Sequence, residues 1–539
     1  MERREFLKSL MAAPAMGTFD WDAFPDGARS RSPEGEFDAI IIGSGLGGLS
    51  CGFAFARKNF RPLVLEQHDR PGGYATSFSR PGGFVFDVSL HSTGAGKRGS
   101  LYNLVPGLPE ITDVEFVPHP HLYRAIFPEH DLRVPQRDVP GYVKLLTGHF
   151  PAEEAGIKGI IEDMQGLNRD IEKLSGGGSM PDMSRFATEF PYLLKYQGKT
   201  WGQMADARIK DPKLKAIISN LWGYYGLPPS RLSCYYYALP TIGYLEEGGY
   251  YVRGTSQKIS DAIAKYIGDK GGKVLLRTPV KEILVRDHAA VGVRTVDGKE
   301  YTARVVVSNA SAPDTFRTMM NKTDYLKDYL GRLDSYSVSL SAFQVFLGLK
   351  TDLIHKLGID DSEVFYHGGY DVDAEYQLAV NADVERGWYG LMLYDNLYQG
   401  CSPKGKNTIN IIVLQGYDHW KQYESDYRKG TKSAYRAEKQ RMAKVLIGKV
   451  EDTLLPGLSK SIQVMEAGSP LTHARYTRNY RGAIYGWDQT LNNCGPNRLP
   501  HKTPIKNLYL SGAWTSPGHG YGGVISSGLQ CFAEIMKTW

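Results

Sequence analysis

Phe37-Asp38-Ala39-Ile40-Ile41-Ile42-Gly43-Ser44-Gly45-Leu46-Gly47-Gly48 is the stretch whose reading decides the fold. An apolar run stops on closely spaced glycines, and a second run, Leu63-Val64-Leu65, ends on Glu66. The pattern predicts strand, tight turn, helix and second strand. Gly43 permits the turn, Gly45 lets backbone N–H groups approach a pyrophosphate, and Gly48 lets the helix pack closely on the strand. A helix starting near Leu46 points the positive end of its dipole at the phosphates. Gly52 and Ala56 share one face of that helix with Gly48 and are small enough to lie on the sheet. A carboxylate at Glu66 accepts a hydrogen bond from an adenosine ribose hydroxyl and repels a 2′-phosphate. A glycine turn in an ordinary parallel sheet leaves that acid unexplained. Ser44, Gly47 and Gln67 complete the predicted dinucleotide site.

The other half of the signature lies at the far end of the chain. Asn507-Leu508-Tyr509-Leu510-Ser511-Gly512-Ala513-Trp514 precedes Pro517-Gly518-His519-Gly520-Tyr521-Gly522-Gly523-Val524. A nicotinamide-binding unit needs no such second segment. A flavin domain does, because FAD is long and distant parts of the chain hold its two ends. Past Glu66, Arg70-Pro71-Gly72-Gly73-Tyr74 resembles the doublet of a large group of FAD oxidoreductases that includes amine oxidases and carotenoid desaturases. The resemblance implies FAD, with Gly72, Gly73 and Tyr74 against its pyrophosphate. It implies that Val274 to Ile283 is the strand whose valine, Val280, holds the adenine. Val305 to Ala310, with Asn309, then returns the chain to the nucleotide domain, where Gly512, Ala513, Gly522, Gly523 and Val524 face the cofactor. A helix from near Val524 would aim its N-terminus at the flavin pyrimidine carbonyl.

The expected fold class is α/β: a Rossmann-type FAD-binding domain of the amine-oxidase-like kind with an inserted α+β substrate domain. A chain of 539 residues exceeds one compact core. Residues 37–110, 245–315 and 465–539 are assigned to the nucleotide domain, and 111–244 and 316–464 to the substrate domain. The first insertion carries the run Ser175-Gly176-Gly177-Gly178-Ser179, read as flexible, and the aromatic residues Trp222, Tyr224, Tyr225, Tyr235, Tyr236, Tyr237 and Tyr244. In the second, alternation over Ser339 to Leu347 predicts a strand with one covered face. The charged stretch Lys432 to Lys449 predicts a solvent-facing helix.

Composition narrows the function. A net charge of +6 without a lysine or arginine block gives no footing for nucleic acid. Five scattered cysteines without a C-x-x-C pair argue against zinc, any other metal site and a disulfide framework. No apolar run reaches the length of a membrane span. At the start, Arg3-Arg4-Glu5-Phe6-Leu7-Lys8 resembles a twin-arginine export signal, and Ala13-Pro14-Ala15 has the form of a cleavage site. Residues 1–36 are read as leader and linker. The expectation is export to the periplasm or cell envelope, with a cytoplasmic location as the alternative.

Within the larger group, Gly248 to Ile259 is similar to a region of phytoene desaturases. Gly468-Ser469-Pro470-Leu471-Thr472 with Arg481-Gly482-Ala483-Ile484-Tyr485-Gly486 resembles the paired motif of carotenoid isomerases and retinol saturases. The resemblance implies an FAD-dependent oxidoreductase acting on carbon–carbon bonds of an apolar isoprenoid, carotenoid or retinoid substrate, by desaturation, saturation or isomerisation. An amine oxidase acting on a C–N bond and a prenyl-lipid carrier on the same fold are the alternatives. His519 and Tyr521 stand where the family often has glycines, and His91 follows its F-D-x-G segment. These three are the candidate catalytic side chains. Trp222–Tyr225 and Tyr235–Tyr237 are expected to form a channel mouth at a peripheral membrane surface.

Overall fold

The computed structural model describes residues 19, 21–27, 37–94, 114–176, 182, 184–321 and 324–539. The arginine pair of the leader and residues 177–179 of the glycine-rich run lie outside them. Ser175 and Gly176 finish the helix Glu154–Gly176.

The glycine-punctuated apolar runs become strands. Ala39–Ile42 and Pro62–Leu65 pair in parallel and are buried along their whole length, as strands covered on both faces must be. Three distant segments complete an all-parallel five-stranded sheet. Its order is Leu508–Leu510, Val305–Ser308, Ala39–Ile42, Pro62–Leu65, Lys273–Leu275. The helix Leu46–Arg57 lies on this sheet through Gly52, where a Cβ would come within 3.2 Å of Ile41 and 3.3 Å of Val64. The C-terminal helix Tyr521–Met536 packs across it. A Cβ at Gly528 would fall 2.3 Å from the Gly47 carbonyl, so the two helices cross at backbone distance. Ser50 Oγ donates to the Ile525 carbonyl at 3.0 Å and joins them.

The stretch expected to be one strand over Val274 to Ile283 is two. Lys273–Leu275 closes the nucleotide sheet, and Val280–Arg286 opens a three-stranded antiparallel sheet with Ala289–Thr295 and Glu300–Thr302. Pro279 lacks a ladder donor and Arg277 has φ 54°, which together turn the chain out of the first sheet.

The second large sheet takes strands from both insertions. Its order is Ile462–Gly468, Ser341–Leu349, Asn407–Gln415, Tyr389–Met392, Glu363–Tyr366, Tyr123–Phe127, His130–Val134. All pairs are antiparallel except Glu363–Tyr366 with Tyr123–Phe127. The boundary expected at 464–465 falls inside the strand Ile462–Gly468. Ser341–Leu349 is buried at every residue, where one covered face was expected. Phe343, Val345 and Leu347 join the main core. The opposite face is covered by the hairpin of Ser77–Arg80 and Phe84–Asp87, and Phe346 packs on Phe78 and Phe86. Gln344 on that face donates to the Val88 carbonyl at 2.8 Å, which compensates its burial.

The charged helix is also less exposed than its composition predicts. Ser433–Thr453 buries Tyr435, Met442, Ala443, Leu446, Ile447 and Val450. Those positions recur at helical spacing and form one apolar stripe.

Phe343 stacks on Trp420 with ring centroids 5.8 Å apart. Phe343→Ala is therefore expected to destabilise the fold by about 3–5 kcal/mol, read from the midpoint of denaturant unfolding. Because the ring points away from the cavity described next, the native variant should keep its cofactor content.

Candidate active site

A cavity of about 1070 Å³ runs from the glycine turn of the five-stranded sheet to the inserted domain. At its first end, Gly43, Gly45 and Gly47 border it with Glu66, Gln67, Gly72, Gly73 and Tyr74. The floor is Asn309, whose backbone N–H donates to the Ile42 carbonyl at 2.9 Å. A Cβ at Gly47 would lie 2.6 Å from both Asn309 Oδ1 and Gly512 Cα. No other residue fits that junction. Gly72, at φ 124°, donates to the Ser44 carbonyl at 2.9 Å. The doublet is thereby laid on the first glycine turn, and Gly73 approaches Gly45.

Glu66 is buried and already engaged. Its Oε2 accepts from the Ser44 backbone N–H at 2.8 Å and hydroxyl at 2.6 Å, and its Oε1 accepts from the His68 N–H at 2.8 Å. These bonds fix the carboxylate at the cavity edge, pre-oriented for a hydroxyl donor. Gln67 turns outward and donates to the Tyr476 carbonyl at 3.0 Å. Val280 is buried and borders the same end with Pro279 and Met319.

Tyr521, Gly522, Gly523 and Val524 line the middle of the cavity, with Ala513 beside them. The C-terminal helix begins at Tyr521, three residues before the expected start, after Gly520 at φ 81°. Gly512 sits behind the lining, where its N–H donates to Ser527 Oγ at 2.9 Å. The Tyr521 hydroxyl meets Ser89 Oγ at 3.0 Å, and Ser89 donates to the Tyr74 carbonyl at 2.8 Å. His519 is 5% exposed and lies between the rings of Tyr485 and Tyr236, at 4.3 and 5.0 Å. Burial, reinforced by nearby Arg498, depresses its pKa to about 3, so the imidazole is neutral at ordinary pH. Neither of its nitrogens has a hydrogen-bond partner among the described residues. Such a group in a cavity wall is ready for a ligand.

Two residues that were not candidate site residues support this frame. Asp87 is buried and accepts from the backbone N–H groups of Ser256 and Leu90 and from the hydroxyls of Ser256 and Tyr251. It ties the loop carrying Ser89 and His91 to the re-entering chain, although burial raises its pKa. Arg498 donates to the carbonyls of Trp487, Asp488, Asn493, Ala513 and Thr515 and holds the C-terminal turn. The sequence marks Asp87 only as the acid of the F-D-x-G segment and Arg498 not at all, because a buried Asp or Arg declares its partners only when the chain is folded.

The aromatic cluster divides. Tyr224, Tyr225, Tyr235, Tyr236 and Tyr244 line the cavity beside Leu239 and Pro240. Trp222 and Tyr237, expected at a channel mouth, are each 1% exposed. Trp222 packs on Trp388 at 5.5 Å and Tyr237 on Trp201 at 4.2 Å. They are core: the four-residue helix of Trp222 offers no solvent face, and Tyr237 is on the buried side of the helix Cys234–Glu247. His91 also lines the cavity and stands against Tyr224, with Nδ1 3.0 Å from the Tyr224 hydroxyl.

Residues 46–536 match the family model described as flavin containing amine oxidoreductase. A chloroplastic prolycopene isomerase of Arabidopsis thaliana is 27% identical over 520 residues, 94% of this chain and 84% of that protein. An all-trans-retinol 13,14-reductase of Danio rerio is 25% identical over 536 residues, 94% and 87% of the two chains. Among solved structures, cyclohexylamine oxidase from Brevibacterium oxydans superposes with a TM-score of 0.57 at 15% identity, over 93% of this chain and 99% of that one. The chain belongs to the flavin-containing amine oxidoreductase family, and it is an FAD-dependent oxidoreductase. The residues present fit that cofactor. The Gly47–Gly512 junction leaves backbone exposed for a pyrophosphate, Glu66 is placed for the ribose, and His519 lines the central cavity.

Two measurements test this frame. Gly45→Val puts a branched side chain against Asn309, since even a Cβ there lies 2.8 Å from Nδ2. The variant should purify folded by circular dichroism yet without flavin absorbance; full absorbance would remove the loop from the cofactor site. Asp488 supplies the second. Burial raises its pKa to about 6, above the ordinary carboxylate value near 4. Between those values the folded protein binds more protons than the unfolded chain, so stability falls as pH rises from about 4 to about 6. Asp488→Asn should flatten that slope in thermal melts.

Proposed function

We propose that this FAD-dependent oxidoreductase acts on carbon–carbon bonds of an elongated apolar substrate of isoprenoid or polyene type, by desaturation, saturation or double-bond isomerisation. The observation that carries the reading is the wall beyond the cofactor cradle. There Tyr224, Tyr225, Tyr236, Leu239, Pro240 and Tyr244 present aromatic and aliphatic surface over a long cavity. The cavity exceeds the roughly 300–1,000 Å³ that serves a single small ligand, which supports cofactor and substrate lying end to end. Relatives named for a prolycopene and for a retinol, each aligned over 94% of the chain, support the substrate class.

Bound FAD supplies hydride exchange with carbon. The protein's part is placement and dryness. Gly43 to Gly48, Glu66 and the Gly72–Gly73 doublet hold the nucleotide end. The N-terminal turn of the helix Tyr521–Met536 offers positive dipole and free N–H groups to the cofactor's electron-rich end. His519, neutral and without another partner, orients by hydrogen bonding and carries no charge. The tyrosine wall keeps water away from the reacting carbons.

Substrates of this class reside in lipid, and export in folded form through the leader Arg3-Arg4-Glu5-Phe6-Leu7-Lys8 would bring the enzyme to an envelope membrane. Among the described residues no helix is long and apolar enough to cross one. Apolar transfer from bilayer to cavity gains little of the roughly 25 cal/mol per Å² that transfer from water provides, so a peripheral docking step fits the reading. Oxidation of an amine is the second reading, favoured by Glu172, Glu246 and Glu247 along the same cavity, since carboxylates attract a cation. A carrier without chemistry has no use for the complete cradle.

The deciding experiment incubates oxidised and reduced holoenzyme anaerobically with all-trans-retinol, with prolycopene and with putrescine. A change of mass or double-bond geometry confined to the polyenes is expected. Flavin bleaching by putrescine with both polyenes untouched would overturn the reading.

A further inference from the structure

Glu363 is a buried acid directly behind the cavity wall, where it meets two lining residues, Tyr224 and His91. It sits at the start of the strand Glu363–Tyr366, with its side chain 1% exposed. The Tyr224 hydroxyl lies 2.7 Å from both carboxylate oxygens, and His91 Nδ1 lies 2.6 Å from Oε1. Among the described residues no lysine or arginine forms an ion pair with it. Other titratable groups facing it are Tyr244 from the helix Cys234–Glu247, Tyr123 from the strand Tyr123–Phe127, Tyr394, and His119. Burial drives His119 down to about 4, so it brings no positive charge at neutral pH. Burial and the carboxylate push Tyr224 well above its ordinary value, so it stays a neutral donor. A buried carboxylate is costly unless a proton or a cation accompanies it, and His91 is the partner that remains.

The geometry also assigns the two imidazole nitrogens. Nδ1 faces Glu363 and Tyr224, and the Tyr224 ring packs on the imidazole at 4.6 Å. Nε2 has no hydrogen-bond partner among the described residues, and His91 borders the cavity. A histidine oriented at one nitrogen by a buried carboxylate, with the other open to a substrate cavity, is the arrangement that transfers protons. Ser89, two residues earlier, is bonded to Tyr521, so the ring hangs from a loop anchored at the flavin end.

We propose that His91, held by Glu363 and Tyr224, exchanges the proton that carbon–carbon chemistry requires; this rests on the substrate reading above. For reduction of a double bond, reduced FAD would supply two electrons and one hydrogen as hydride. The second hydrogen comes from Nε2: the N–H bond breaks, the new C–H bond takes the π pair, and the imidazole is left neutral until solvent reprotonates it. Desaturation runs the same steps backwards, with Nε2 accepting the proton. Glu363 and Tyr224 act through His91 and are positioning residues.

The test uses holoenzyme and two independent readouts. In the first, dithionite-reduced enzyme and all-trans-retinol react in a single turnover in deuterated solvent. Wild type is expected to place one solvent deuteron on carbon. His91→Gln should slow that step by about 100-fold or more while flavin absorbance and retinol binding stay unchanged, and Tyr224→Phe should have a smaller effect. Turnover by His91→Gln within about threefold of wild type would overturn the proposal. In the second, nitrogen-15 NMR of histidine-labelled holoenzyme without substrate reads the Nδ1 resonance of His91 at one fixed pH. That resonance should move in Glu363→Gln, because the carboxylate beside Nδ1 is gone. An unmoved resonance would overturn the pairing. If wild type processes no polyene while the resonance moves as expected, the substrate reading fails and the proton site stands.

Discussion

Everything in this structure depends on two ends of the chain meeting at backbone distance. Gly47, near the start, and Gly512, near the end, close on the side chain of Asn309 from the middle, with room for no Cβ at either glycine. The helices that follow them cross at Gly528 and Ser50 with the same intimacy. Contact of this kind leaves main-chain N–H groups uncovered, and exposed main chain is what a pyrophosphate requires. The five-stranded sheet is the scaffold that makes the junction reproducible, because its two central strands carry the first glycine turn and Asn309 at their C-terminal ends.

With that junction made, the intervening chain is free to build a second layer. It does so as a mixed seven-stranded sheet whose strand Ser341–Leu349 is buried on both sides, one against the main core and one against the hairpin that follows the glycine doublet. The hairpin thus belongs to the nucleotide half by sequence and to both halves by packing. Its far end delivers Ser89 and His91 to the cavity, where His91 meets Tyr224 from the first insertion. The cavity runs between the two layers, which share one hydrophobic core.

Two sets of polar groups in this interior bear on the site. Asp87 and Arg498 are wholly buried, and backbone groups of neighbouring loops compensate both. They act as fasteners. Groups left incompletely partnered, His519 and the outer nitrogen of His91, lie on the cavity wall instead. Dry surroundings strengthen each remaining interaction there, since unscreened charge acts over a longer range. The chemistry is concentrated where the fold leaves hydrogen-bonding capacity unspent.

The nucleotide site was legible because its determinants are local. A glycine turn, a helix of small residues and an acid ending the next strand each declare their conformation within a dozen residues, and Gly43 to Glu66 contain all of them. Even the distant partner segment announces itself by an apolar run ending on glycine at Gly512. The sequence by itself therefore determined the cofactor cradle, the parallel sheet and the existence of insertions. Local pattern misled where burial is decided from outside. Alternation along Ser341 to Leu349 could not reveal the hairpin covering its polar face, and the aromatic run near Trp222 could not reveal which rings would be enclosed. Glu363 is the clearest case. An acid within Ser362-Glu363-Val364-Phe365-Tyr366 marks a strand with a charge out of place, but nothing nearby names His91, 272 residues earlier, or Tyr224 on another element. Only the tertiary structure decided that meeting, because a buried charge takes its meaning from the partners that folding brings within hydrogen-bond reach.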